Sequence, residues 1–172
     1  MKYYLIDQKR FVGIPLFAGD EVVGFSLVSF QDAERLLKIT NKWRINSGGY
    51  AYCRKGSDPR RELVLMHRVI LNAVADDIVD HINRNKLDNR RHNLRFATMQ
   101  QNAANSGHVA GVTGYRGVSI QRHNGRIAYV ARIGSGPDRR YLGRFATREE
   151  AALAYNAAAV ERNGPYAVLN DV

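Results

Sequence analysis

Asp80 and His81 are adjacent, Asn93 follows after eleven intervening residues and Asn102 after a further eight. Each of these residue types suits hydrolysis of a phosphodiester. A carboxylate and an amide oxygen are hard donors for Mg2+ or Mn2+, ions that keep several waters and take a substrate phosphate as a further ligand. A histidine with an ordinary pKa of about 6.5 can accept a proton from water as that water attacks phosphorus. A metal in such a site neutralises charge on the phosphoryl oxygen and on the leaving 3′-oxygen. Taken alone, the same residues also fit ordinary turn chemistry. An Asp-His pair beside a turn commonly makes a structural hydrogen bond, and Asn side chains bind nearby backbone groups.

The surrounding pattern supplies elements able to position these groups. An apolar run over residues 63–71 precedes Ile78-Val79, which leads directly into Asp80-His81. Asn93-Leu94-Arg95-Phe96-Ala97 follows an Asn- and Arg-rich stretch, and Thr98 with Gln101 is a capping-box pattern. It predicts a helix from about Met99 to near Gly107, with Asn102 and Asn105 on one face. Upstream, residues 25–30 are strand-like, 31–39 suit a short helix, and Ser47-Gly48-Gly49 before Tyr50-Ala51-Tyr52 suggests a hairpin. That first segment reads as a small α/β support, with Arg54, Lys55, Arg60 and Arg61 as candidates for substrate contact. Downstream, residues 116–121, 127–133 and 139–145 read as strands separated by turns. A second capping box, Thr147 with Glu150, opens an alanine-rich helix that Asn163-Gly164-Pro165 stops.

Asp80-His81-Ile82-Asn83, Asp88-Asn89-Arg90, Asn93-Leu94-Arg95 and Gln101-Asn102, with His67-Arg68 upstream, resemble the HNH endonucleases of phages and mobile introns. The resemblance covers residues 63–106. It implies a ββα-metal fold, with Asp80 as first metal ligand, His81 as general base, Asn93 fixing the loop that carries His81, and Asn102 as second metal ligand. Many members have histidine at that last position; an amide oxygen there favours Mg2+, with Mn2+ as the other choice. Arg84 stands where members commonly carry glycine, so it constrains the turn or adds a phosphate contact. His67, Arg84 and Asn105 are candidates for supporting roles, and His67 on its apolar run reads equally as a buried structural histidine.

Tyr115-Arg116-Gly117-Val118, Tyr141-Leu142-Gly143-Arg144-Phe145-Ala146-Thr147 and Ala167-Val168-Leu169-Asn170 resemble the AP2 DNA-binding domain. This implies a three-stranded antiparallel sheet packed on one helix, with the sheet entering the major groove. By motif position Arg116, Gly117, Arg139, Tyr141 and Arg144 would contact DNA, joined by Tyr129 and Arg132 on the middle strand. Ser119, Ile120 and Gln121 stand where plant members carry further arginines and a tryptophan, so base specificity does not transfer.

Charge and composition agree with a nucleic-acid partner. The formal net charge is +10, and twenty of the 26 basic residues are arginines, whose planar guanidinium can fork onto phosphate or guanine. A single cysteine, Cys53, excludes a disulfide scaffold and a cysteine-based zinc site. Apolar stretches are too short to span a bilayer, and the polar, mixed-charge start lacks a signal peptide's apolar core. The expectation is therefore a soluble cytoplasmic α+β protein with an α/β segment (1–62), an HNH module (63–106), a linker (107–112) and an AP2-like domain (113–172). Its expected activity is one-metal hydrolysis of double-stranded DNA by a monomer or weak dimer, in a phage or homing context within a bacterial host. The alternatives are a non-catalytic sequence-specific DNA-binding regulator, an inactive nuclease relic, or an RNA-binding protein, the last disfavoured by the lack of RNA-stacking motifs.

Overall fold

The fold was derived from a computed structural model that describes residues 4–5, 11–56, 62–106 and 111–172. Arg60 and Arg61, the expected helix stop Gly107, and His108 lie outside the described residues. The chain divides into two compact units, 1–98 and 99–172, each of mixed α+β structure.

In the first unit, β1 (Tyr4–Leu5), β2 (Phe11–Ala18) and β3 (Glu21–Ser29) form an antiparallel meander. The helix α1 (Phe30–Ile39) follows at once and buries Ala33 and Leu36 at helical spacing. Its Asp32 is buried and ion-paired to Arg35 and to Arg91. A second antiparallel sheet contains β4 (Arg44–Ile45), β5 (Ala51–Lys55) and β6 (Glu62–Leu65). The short helix α2 (Met66–Leu71) then ends at Asn72, which adopts the left-handed conformation that asparagine tolerates. The hairpin β7 (Ile78–His81) and β9 (Leu94–Ala97) comes next, with β8 (Asp88–Asn89) in the intervening loop.

Although only two residues long, β8 runs parallel to β3, pairing Leu27 with Asp88 and Val28 with Asn89. One hydrophobic core joins Val12, Ile14, Leu16, Val28, Leu36 and Trp43 to Met66, Ile70 and Leu94. Among the described residues, this core draws on both sides of the expected boundary at 62/63. Cys53 is also in this core, where burial pushes its thiol pKa up.

The second unit begins with α3 (Met99–Ala104). The strands β10 (Val118–His123), β11 (Arg126–Ile133) and β12 (Arg140–Phe145) form an antiparallel sheet in sequence order. The helix α4 (Arg148–Asn163) crosses one face of that sheet, opened by the predicted reciprocal capping box of Thr147 and Glu150. Its Ala151, Ala152, Ala158 and Ala159 are buried, and their small size lets the helix axis approach the strands closely.

Gly117 shows how tight this packing is. At φ +73°, a Cβ there would lie 2.1 Å from the Tyr155 ring and 2.5 Å from the Arg132 carbonyl oxygen. The substitution Gly117→Ala is expected to destabilise the second unit by more than about 3 kcal/mol, combining overpacking with a left-handed backbone. Urea unfolding followed by circular dichroism checks this; a change below about 1 kcal/mol would refute the close-packing role.

Candidate active site and nucleic-acid interface

The β7/β9 hairpin presents Asp80 and His81 as neighbours on a strand, which sends their side chains to opposite sides of the ribbon. Asp80 is opposite Arg95 in the ladder, and both Nε and a terminal nitrogen of Arg95 lie 2.8 Å from its Oδ2. Its carboxylate is buried, so a partnering cation offsets the desolvation that an isolated charge would suffer.

His81 turns the other way, towards the core, and its Nε2 lies 3.1 Å from Asn89 Oδ1. The direction of that bond is fixed one step further out. Asn89 donates through Nδ2 to Ser26 Oγ at 2.8 Å and to the Lys86 carbonyl, while Ser26 Oγ itself donates towards Met66 Sδ and the Leu87 carbonyl. The Asn89 amide therefore presents its oxygen to His81, so Nε2 carries the proton and Nδ1 is the basic nitrogen. Burial lowers the His81 pKa; the Asn89 bond and the Asp80 and Asp88 carboxylates oppose that shift without cancelling it. The ring is also held by contacts with His67 at 5.2 Å and Tyr50 at 6.0 Å between centroids.

Asn93 ties down the loop after His81. Its Oδ1 accepts from the Asn83 backbone N–H, and its Nδ2 donates to Asn83 Oδ1 and the Asp88 carbonyl. Burial pushes the Asp88 carboxyl up, but hydrogen bonds from Arg90 and Asn83 outweigh it and hold the group below the usual carboxylate range. Arg84 sits in the turn at φ +65°, with its N–H bonded to the His81 carbonyl and its side chain exposed. The glycine common at this position in HNH proteins would adopt that conformation without strain.

His67 on α2 is buried, and its Nδ1 has no hydrogen-bond partner among the described residues. Burial lowers its pKa from 6.5 to about 3, reinforced by His81 and Arg68. The neutral ring is thus compatible with the fold and the charged one is not. Because the unfolded chain binds the proton more tightly, this residue's contribution is full above pH 6.5 and is lost as pH falls towards 3. Between about pH 6.5 and about pH 4 the loss is roughly 3 kcal/mol. Urea midpoints measured across that range should therefore fall more steeply for the native chain than for His67→Gln; parallel slopes would refute the assignment.

In the second unit, Asn102 is exposed on α3 and Asn105, just past the helix, is buried. The sheet has two unlike faces. Tyr129, opposite Ile120 and Phe145, packs with Val118, Ala131, Ala151 and Ala152 under α4. Arg132 is three residues further along the strand and so projects from the opposite, open face, with its guanidinium 5.8 Å from the Tyr141 ring centroid and 3.4 Å from Ser119 Oγ. Arg144, opposite Val130, shares that open face and is exposed, as is Arg139 before β12.

Three residues expected at DNA make contacts within the second unit. Tyr129 is on the helix-facing side, Gly117 is packed against Tyr155, and the Arg116 guanidinium is occupied by the backbone carbonyls of Ala104 and Ser106. The sequence pattern alone did not single out Asn89, Ser26, Tyr50 or a role for Arg95. Asn89 was legible only as another turn asparagine, because its partner Ser26 is 63 residues away.

A family model described as HNH endonuclease matches residues 64–104. An uncharacterized HNH endonuclease of Acanthamoeba polyphaga mimivirus is 32% identical over 165 residues, covering 91% of this chain and 85% of the viral protein. The chain belongs to the HNH endonuclease family. An AP2-like ethylene-responsive transcription factor of Arabidopsis thaliana is 52% identical over 67 residues, and a second ethylene-responsive factor of that plant is 51% identical over the same length. These matches cover 38% of this chain and only 19% and 15% of the plant proteins. Asp80, His81, Asn93 and Asn102 all fall within the residues that the HNH family matches, and the plant similarity accords with the AP2-like pattern in the second unit.

HNH nucleases generally use a divalent metal, and Asp80 and Asn102 each carry an oxygen donor. The buried Asp80 carboxylate already holds a cationic group, and Asn102 offers an exposed amide oxygen. Among the described residues no group of three or more His, Cys, Asp and Glu could hold an ion. No helix among the described residues is long and apolar enough to cross a membrane.

Proposed function

We propose that this chain is an endonuclease that hydrolyses phosphodiesters in double-stranded DNA, with His81 as general base and the open face of the second unit's sheet as the docking surface. The observation that carries this reading is the tautomer lock on His81. Asn89 fixes the proton on Nε2, leaving Nδ1 as the basic nitrogen, beside a buried carboxylate on the same strand.

In the reaction, Nδ1 accepts a proton from water as the water oxygen bonds to phosphorus and the P–O3′ bond breaks. The leaving 3′-oxygen takes a proton from a solvent water and His81 later returns its own to solvent, so the products are a 5′-phosphate and a 3′-hydroxyl end. Asn93 holds the loop so that His81 does not shift as charge develops, and His67 and Tyr50 keep its ring from rotating. Asp80, with Asn102 by motif position, would hold one divalent ion, Mg2+ or Mn2+, which neutralises charge on the phosphoryl and leaving oxygens when bound. Arg132, Arg139, Tyr141 and Arg144 form the proposed DNA-facing set, and the phage or homing context belongs to the same proposal.

Incubating the full chain with supercoiled plasmid in Mg2+, Mn2+ or EDTA tests this reading. Nicked or linear product with 5′-phosphate ends, in the metal-containing samples only, is expected. Tight duplex binding with no cutting in either metal would instead identify a non-catalytic DNA-binding regulator.

A further inference from the structure

We infer that Arg116 is a positioning residue that fastens the Asn102-bearing segment to the DNA-binding sheet, rather than a contact to DNA. The inference rests on the proposed nuclease reading for the importance of Asn102, but its geometry lies wholly within the second unit.

The α3 helix has six residues, too few to be stable in water alone, and the carbonyls of its last turn have no partner within the helix. The Gln101 and Ala103 carbonyls accept from the Asn105 and Ser106 backbone N–H groups, and Arg116, just before β10, serves the next two at this end, those of Ala104 and Ser106. One terminal guanidinium nitrogen donates to the Ala104 carbonyl at 2.7 Å, and the other donates to the Ser106 carbonyl and lies 3.2 Å from Ser106 Oγ. A planar fork that satisfies neighbouring carbonyls in this way is specific to arginine, and its positive charge complements the negative end of the helix. The Tyr155 phenol of α4 lies against the same guanidinium.

The backbone of Arg116 is held just as firmly. Asn170 accepts from the Arg116 N–H at 2.7 Å through Oδ1 and donates to the Arg116 carbonyl at 3.1 Å through Nδ2. The backbone of Asn170 is in turn paired with the side-chain amide of Asn156 on α4, at 2.7 and 2.9 Å. A continuous set of hydrogen bonds therefore runs from the core of the AP2-like fold to the last turn of α3. Asn102 and Asn105 are carried on that turn, so the sheet and the proposed metal ligand move together. Both terminal nitrogens of this guanidinium are thus committed to partners within the second unit.

The test compares Arg116→Ala, Arg116→Lys and Asn170→Ala with the native full chain. It measures amide hydrogen exchange of residues 99–106, affinity for a short DNA duplex in EDTA, and Mn2+ affinity by calorimetry. In all three variants exchange over 99–106 should quicken at least tenfold and Mn2+ binding should weaken threefold or more, while duplex affinity stays within threefold of native. Arg116→Lys is decisive, because it retains the charge that a phosphate contact needs and loses the fork that the carbonyls need. It also answers if Arg116→Ala does not fold. Unchanged exchange over 99–106, or a tenfold loss of duplex affinity in Arg116→Ala with native affinity in Arg116→Lys, would overturn the inference. If the native chain cuts no DNA, the nuclease reading fails while the exchange and duplex measurements still judge the bracing role.

Discussion

His81→Ala should lower the rate of metal-dependent plasmid cutting by about 10²- to 10⁴-fold, the range that removal of a positioned general base produces. The size of the effect follows from how little else could replace the imidazole. Asn89 is an amide and cannot accept a proton near neutral pH, His67 is buried with a pKa of about 3, and the Asp80 carboxylate is paired with Arg95. Affinity for duplex DNA should stay within twofold, because His81 is buried and distant in sequence from the arginine-rich sheet. Asn89→Leu, which removes the acceptor for Nε2–H, should lower the maximal rate more than the Michaelis constant. A plasmid-nicking assay with a filter-binding control separates these effects. Wild-type cutting by His81→Ala would show that another group takes the proton.

The second large effect concerns binding. Replacing Arg132 and Arg144 together with alanine should weaken duplex affinity by roughly 10- to 100-fold near physiological salt and flatten the log–log salt dependence by about 1.8 if each contacts one phosphate. Both project from the face that α4 leaves uncovered, and the Tyr141 ring beside Arg132 provides a surface on which the guanidinium can rest. Arg140 is the internal control. It lies one position from Tyr141, yet its side chain is ion-paired to Glu161 of α4 on the covered side, so Arg140→Ala should leave duplex affinity within twofold. Titrations at several salt concentrations distinguish the cases. An equal loss from Arg140→Ala would mean that net charge, not the open face, governs binding.

Local signals were the most legible part of the fold. The Thr147–Glu150 capping box specifies the start of α4 because both partners are within one turn, and glycine after Asn163 specifies its end. The three arginine-rich strands were also readable, with ends shifted by up to two residues. Which side chains share a face was less so. Tyr129 and Arg132 are an odd number of positions apart, and strand alternation alone assigns them to opposite faces. In the site, the Asp80-His81 pair stands out in the sequence, and the Asn93 loop anchor was implied by the HNH resemblance. The Asn89–Ser26 bond and the Arg116 brace were not legible, because each depends on a partner brought close only by the tertiary fold. The division at 98/99, inside the HNH motif, was equally hidden, since nothing at Thr98-Met99 marks a break in composition.

The parallel pairing of β8 with β3 bears on the order in which the chain can fold. Closing a loop of some sixty residues precedes any energetic return from it, so contacts of this separation form late and slowly. The Ser26–Asn89–His81 relay can be assembled only after the amino-terminal meander has formed and residues beyond β8 have left the ribosome. A nascent or partly folded chain therefore holds an unlocked imidazole. Under the proposed nuclease function, competence to cut arrives as one of the last events of folding rather than with the first appearance of the motif.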